Sequence, residues 1–132
     1  MNTQSTATAP TREAMMDFAR NWVAAWNRRD AASVLSHFVD EAVFVSPVAS
    51  KYVGSPVIRG KAELSKYWYA ALERLSTLEF KLDYASWDPE RRELNVVYES
   101  NLNGARRRSC EIMTFNADGY QIRGEALYGA EL

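Results

Sequence analysis

Apolar positions recur at three- and four-residue steps in the first part of the chain and at two-residue steps in the second. Met15, Phe18, Ala19, Trp22, Val23 and Trp26 form one wide apolar stripe, the spacing of an amphipathic helix. Thr11 stands where a capping hydroxyl belongs, and Glu13 falls in the first turn, where the helix dipole favours an anion. This helix is expected to stop near Asn27 to Arg29. Asp30 then caps a second, shorter helix through Val34 and Leu35 to Phe38. Over Ala42 to Val45 the pattern changes to a β-branched and aromatic run, stopped by Pro47.

Residues 47–59 hold two Pro and one Gly among small polar residues and read as a long loop. A third helix is predicted from Gly60 to about Arg74, burying Leu64, Tyr67, Trp68, Ala71, Leu72 and Leu75. Four strands follow, over residues 78–87, 93–102, 106–115 and 120–128. Asp88-Pro-Glu-Arg-Arg, Asn103-Gly104 and Asn116-Ala-Asp-Gly119 are the turns between them. The fold class is therefore α+β: three N-terminal helices packed in the concave face of a curved antiparallel sheet. Asp40-Glu41 resembles a pair of catalytic carboxylates, but neighbours on a strand face opposite ways, so they read as a helix-to-strand junction.

Composition narrows the function more than it defines it. At 132 residues the chain makes one domain, expected over 11–132, with a Thr/Ser/Ala-rich, disordered lead over 1–10. A net charge of -1 gives no footprint for nucleic acid or an anionic membrane, and no apolar run is long enough to span a bilayer. One Cys and one His exclude a Cys/His metal cluster, and no cofactor motif is present. The lone Cys110 fits a reducing, cytoplasmic setting. Four Trp, seven Tyr and five Phe exceed what a minimal core needs, which fits an apolar pocket or a buried subunit interface. The arginines at 91–92 and 106–108 sit at hairpins beside acidic residues and read as solvated turns.

Several stretches carry a family resemblance over roughly residues 12–129. They are Trp26-Asn27 with Asp30, His37-Phe38-Val39-Asp40-Glu41-Ala42-Val43-Phe44, Ile58-Arg59-Gly60-Lys61, and Phe115-Asn116-Ala-Asp-Gly119 with Ala126-Leu127-Tyr128-Gly129. Together they resemble the nuclear transport factor 2-like superfamily, the cystatin-like cone that includes ketosteroid isomerases and polyketide cyclases of the SnoaL type. The scaffold hosts enzymes and non-catalytic binders alike, so the resemblance implies a fold more than a reaction. In the isomerases, an Asp general base precedes a Pro late in the first strand, and the matching residue here is Ser46. Their oxyanion-hole Tyr falls at Trp22, and their protonated Asp falls at Glu111. With the base lost, steroid isomerisation by that route is not expected.

Strand alternation sets Glu111, Met113 and Phe115 on one face. If Phe115 points into the cone, so does Glu111, whose desolvated carboxyl is then suited to donate or relay a proton. The alternative is a structural hydrogen bond to a Trp, Tyr or Arg. His37, the one side chain with an ordinary pKa near neutrality, is either a partly exposed residue at a helix end or, turned inward, an acid/base partner for Glu111. Trp22, Phe44, Ser46, Tyr67, Tyr98, Met113, Phe115 and Tyr128 are the expected walls of a pocket for a small apolar organic ligand. Trp26 and Trp68 are assigned to the core. Val97, Ile112, Thr114, Arg123 and Leu127 fall on the outer sheet face. Their mixture of apolar and long polar side chains suits a homodimer interface, as the resemblance also implies.

Overall fold

A computed structural model describes residues 10–132; the lead expected to be disordered lies, except for Pro10, outside them. The first helix, α1 (Arg12–Asn27), starts where Thr11 accepts a hydrogen bond from the Ala14 N–H at 3.1 Å. Asp30 caps α2 (Ala31–Leu35) in the same way through Ser33. That helix ends earlier than its apolar spacing suggests. Phe38 already belongs to β1 (Phe38–Val45), and the neighbouring carbonyl of His37 accepts from the Gln121 N–H at 2.7 Å. Sheet pairing thus overrides the last turn of helix.

The expected loop over 47–59 contains two short elements, α3 (Ala49–Val53) and β2 (Val57–Arg59). Among the described residues there are accordingly four helices, not three. Five- and three-residue elements are too short to display a period, and Pro47, Gly54 and Pro56 mask them in sequence. Gly54 ends α3 in the left-handed region, at a φ of +76°. The long helix α4 (Lys61–Arg74) buries Leu64, Tyr67 and Trp68. Next come β3 (Leu78–Asp88), β4 (Glu93–Leu102), β5 (Ala105–Phe115) and β6 (Gln121–Glu131).

The six strands form a single curved sheet in the order β2-β1-β6-β5-β4-β3. β3 to β6 are the expected antiparallel meander, with Asn103-Gly104 turning at φ values of +55° and +89°. One pairing corrects the expectation of an all-antiparallel sheet: β1 runs parallel to β6. β2 reverses beside β1, α4 crosses the concave face, and the meander returns from the far edge to meet β1 in the same direction. Asp40 and Glu41 lie inside β1, at its register shift against β6, with both side chains exposed.

Helix α1 lies over β3, where Trp22 stacks on Phe80 with centroids 5.5 Å apart. Burying rings of this kind contributes roughly 1.5–3 kcal/mol each, but it does not fix where along the strand the helix sits. Asn27 does. Its side-chain amide donates to the Phe80 carbonyl at 2.9 Å and accepts from the Phe80 N–H at 2.7 Å. Both backbone groups face outward on an edge strand, so one residue supplies the pairing that a further strand would give. Asn27→Ala is expected to lower the unfolding free energy in urea melts by about 1–2 kcal/mol. Asn27→Asp keeps the acceptor but sets a carboxylate oxygen against the Phe80 carbonyl, so it should not recover the loss; equal stability of all three proteins would contradict this role.

Candidate functional site

The helices close one side of the curved sheet and leave a cavity of about 100 Å³ with a partly open mouth. Rings make most of its wall. Trp22 meets Tyr98 edge-on at 5.3 Å, and Trp68 meets both Trp26, at 5.0 Å, and Phe44, at 5.3 Å. Leu72, Leu75, Leu78 and Leu102 rim the mouth. An engineered apolar cavity of about 150 Å³ holds one benzene, so the smaller enclosed part here takes no more than one small ring.

Glu111 is the acid of this cavity. β5 alternates strictly from Ser109 to Phe115, with the odd-numbered residues buried, and Glu111 is only 4% exposed. Among the described residues, no hydrogen bond to its carboxyl offsets the burial. Desolvation, helped by the negative charge of Glu125, pushes its pKa up to about 8. At neutral pH it is therefore a protonated acid, able both to donate and to accept a hydrogen bond.

Gly124 makes room for that acid. It pairs with Met113 on one side and Phe44 on the other. A β-carbon there would lie 3.3 Å from Glu111 Oε2 and 3.1 Å from both the Phe44 ring and Gln121 Nε2. Gln121 is itself buried, its amide donating to the Arg123 carbonyl at 3.2 Å. Neither residue carries a titratable group that marks it in the sequence. A glycine inside an otherwise regular strand was the available signal, because it marks close approach by another group.

The remaining polar groups are hydroxyls. Ser46 closes the strand end and is buried; its Oγ accepts from the Val48 N–H at 3.2 Å. Its own proton thus remains free, and hydrogen bonding to Ser46 limits the rise in the pKa of both Tyr67 and Tyr128. Burial pushes the Tyr67 hydroxyl up to about 12 and raises Tyr98 and Tyr128 as well, Glu111 adding to each shift. These phenols stay protonated at physiological pH and act as hydrogen-bond donors, not bases.

Of the residues singled out from sequence, the fold brings Trp22, Phe44, Ser46, Tyr67, Tyr98, Glu111 and Tyr128 to this one cavity. Three are placed elsewhere. Met113 and Phe115 share the inward face of β5, but farther along it they are filled over by core: Met113 is fully buried, and Phe115 packs edge-on against Phe18 and Trp87. His37 is exposed in the turn before β1, its ring 4.8 Å from Phe18, in a separate surface groove with Asn21 and Arg28. Partial burial lowers its pKa, so it is neutral at pH 7, and it forms no pair with Glu111. Trp26 and Trp68, assigned to the core, also line the cavity. Among the described residues, no cluster of His, Cys, Asp or Glu could hold a metal ion, and no helix is long and apolar enough to cross a membrane.

Comparison with known proteins gives the same architecture. A SnoaL-like protein of unknown function from Burkholderia thailandensis is 26% identical, with a TM-score of 0.82 over 93% of this chain and 100% of its own. A cystatin-like protein of unknown function from Methylobium petroleophilum is 25% identical, with a TM-score of 0.74 over 93% of this chain and 80% of its own. SalBIII, an epoxide hydrolase/cyclase-like enzyme of pyran ring formation in the polyether salinomycin, shares the fold at 14% identity. Its TM-score is 0.69 over 89% of this chain and 92% of its own. No curated protein matches the sequence. The SnoaL-like domain family matches residues 19–124, and the chain belongs to that family, within the nuclear transport factor 2-like superfamily.

Proposed function

We propose that the protein binds a small apolar organic molecule in this cavity and acts on it by acid/base chemistry, with Glu111 as the acid. The carrying observation is a buried carboxyl group that lines an apolar cavity and has no hydrogen-bond partner among the described residues. Such a group is unfavourable in a merely structural core. It is suited to a ligand oxygen, of a carbonyl or an epoxide, that accepts its proton as negative charge develops there. Ser46, Tyr67, Tyr98 and Tyr128 orient that oxygen by donating hydrogen bonds. The carboxylate left behind is then the base that recovers a proton. An isomerase, cyclase or hydrolase reaction fits this arrangement, and the epoxide hydrolase/cyclase-like fold neighbour agrees with it.

A second reading, a non-catalytic binding module, is favoured by one feature. Glu111 is the only carboxylate among the cavity's lining residues, and no His joins it, so an independent base is lacking. The two readings separate in one experiment. Single-ring ketones and epoxides are supplied to the protein in D₂O, and exchange or ring opening is followed by proton NMR. The enzyme reading expects turnover that Glu111→Gln lowers by about 100-fold, with ligand affinity changed little. Binding without turnover in the unaltered protein would favour the module.

The outer face of the sheet supports a homodimer. Register carries Tyr84, Val97, Cys110 and Leu127 across four strands as one row, with Ile112 in the next row and the Arg123–Glu125 pair beside it. Tyr84 is 53% and Leu127 45% exposed, and a two-fold axis through this face would bury both. Leu127→Glu should halve the mass measured by light scattering. A monomer before substitution, or an unchanged mass after it, would count against this interface.

A further inference from the structure

The enclosed cavity and a neighbouring surface groove have lining residues in common. Tyr52 and Tyr67 line both, their rings 5.7 Å apart. The groove is larger, about 420 Å³, and its charged residues are Arg59, Lys66, Arg74 and Glu63. Glu63 lies 3.5 Å from Lys66. Neither Arg59 nor Arg74 has a carboxylate within ion-pair distance among the described residues. The Arg74 guanidinium instead rests over the Tyr52 ring, 4.7 Å from its centre. That places a cation with no carboxylate in reach, among the described residues, directly against a ring that lines both groove and cavity.

We propose that the ligand is an apolar organic acid, its ring in the cavity beside Glu111 and its carboxylate on Arg74, with Arg59 reinforcing it, across Tyr52. This rests on the cavity being a ligand site and adds the ligand's chemical class and its orientation. Two considerations carry it besides the position of Arg74. The cavity takes no more than a small ring, so any larger ligand continues outward. Its walls contain no Lys or Arg, so an anion placed inside would lose its hydration with no opposite charge to replace it. The neutral, oxygen-bearing end therefore goes inward to Glu111 and the phenols. The charged end goes to the guanidinium, whose planar fork matches a carboxylate.

The test uses 4-phenylbutanoate and 4-phenylbutanamide, which differ only in the charge at the end of a single-ring chain. Binding is read from the indole N–H signals of Trp22, Trp26 and Trp68, which line the cavity, at low ionic strength. The acid should bind about fivefold tighter than the amide. Arg74→Gln combined with Arg59→Gln should erase that preference and leave the amide's affinity unchanged, whereas Arg74→Lys should retain most of it. Both arginines end outside the core, so loss of the fold would not confuse the result. Equal affinity for acid and amide in the unaltered protein, or a preference that survives the double substitution, would overturn the proposal. If neither compound shifts the indole signals, the reading of the cavity as a ligand site fails first and takes this inference with it. Amide binding alone, with no acid preference, would leave the cavity reading standing and sink only the acidic ligand.

Discussion

A buried carboxyl group is the constraint around which this site is arranged. Glu111 could occupy the inward face of β5 only if space, neutrality and neighbours were supplied together. Gly124 supplies the space by omitting a side chain, and protonation supplies the neutrality. The surrounding hydroxyls are themselves kept protonated by the same burial. The curved sheet then aims all of these groups at one volume, because alternate residues of adjacent strands point to the same side.

The energetic sign of this arrangement follows from linkage. Below the ordinary carboxyl value of 4.5, folded and unfolded chains both hold the Glu111 proton, and the group contributes no pH dependence. Between that value and about 8, the unfolded chain releases the proton while the folded one retains it. Stability therefore falls as pH rises through this window, and above it the cost stays constant. A residue that destabilises its own fold at physiological pH is a common mark of a working site, where local strain is tolerated because the rest of the core over-determines the structure.

Much of the architecture was legible in the sequence because it depends on periods and caps. The stripe from Met15 to Trp26, the capping residues Thr11 and Asp30, and the Asn103-Gly104 turn each act within a few residues of themselves. What stayed hidden depends on distant partners. Phe38 leaves helical spacing for a strand because β6 pairs beside it, and the parallel direction of that pairing follows only from the path of the whole chain. In the site, alternation along β5 gave the inward face of Glu111 but not its depth, so Met113 and Phe115 shared its direction without sharing its cavity. His37 lies beside apolar residues in sequence, yet the turn before β1 leaves it outside. Arg74 belongs to the exposed end of α4, and only the placement of Tyr52 gives it a role.

The state of the Glu111 carboxyl is the direct test, and it is accessible by ¹³C NMR titration of the glutamate side-chain carboxyl carbons, with Glu111→Gln identifying the signal. One carboxyl in the folded protein should remain protonated at pH 7 and titrate near 8. A Glu111 signal that titrates near 4.5, with the fold intact, would show a solvated carboxylate and contradict the chemistry assigned to the cavity.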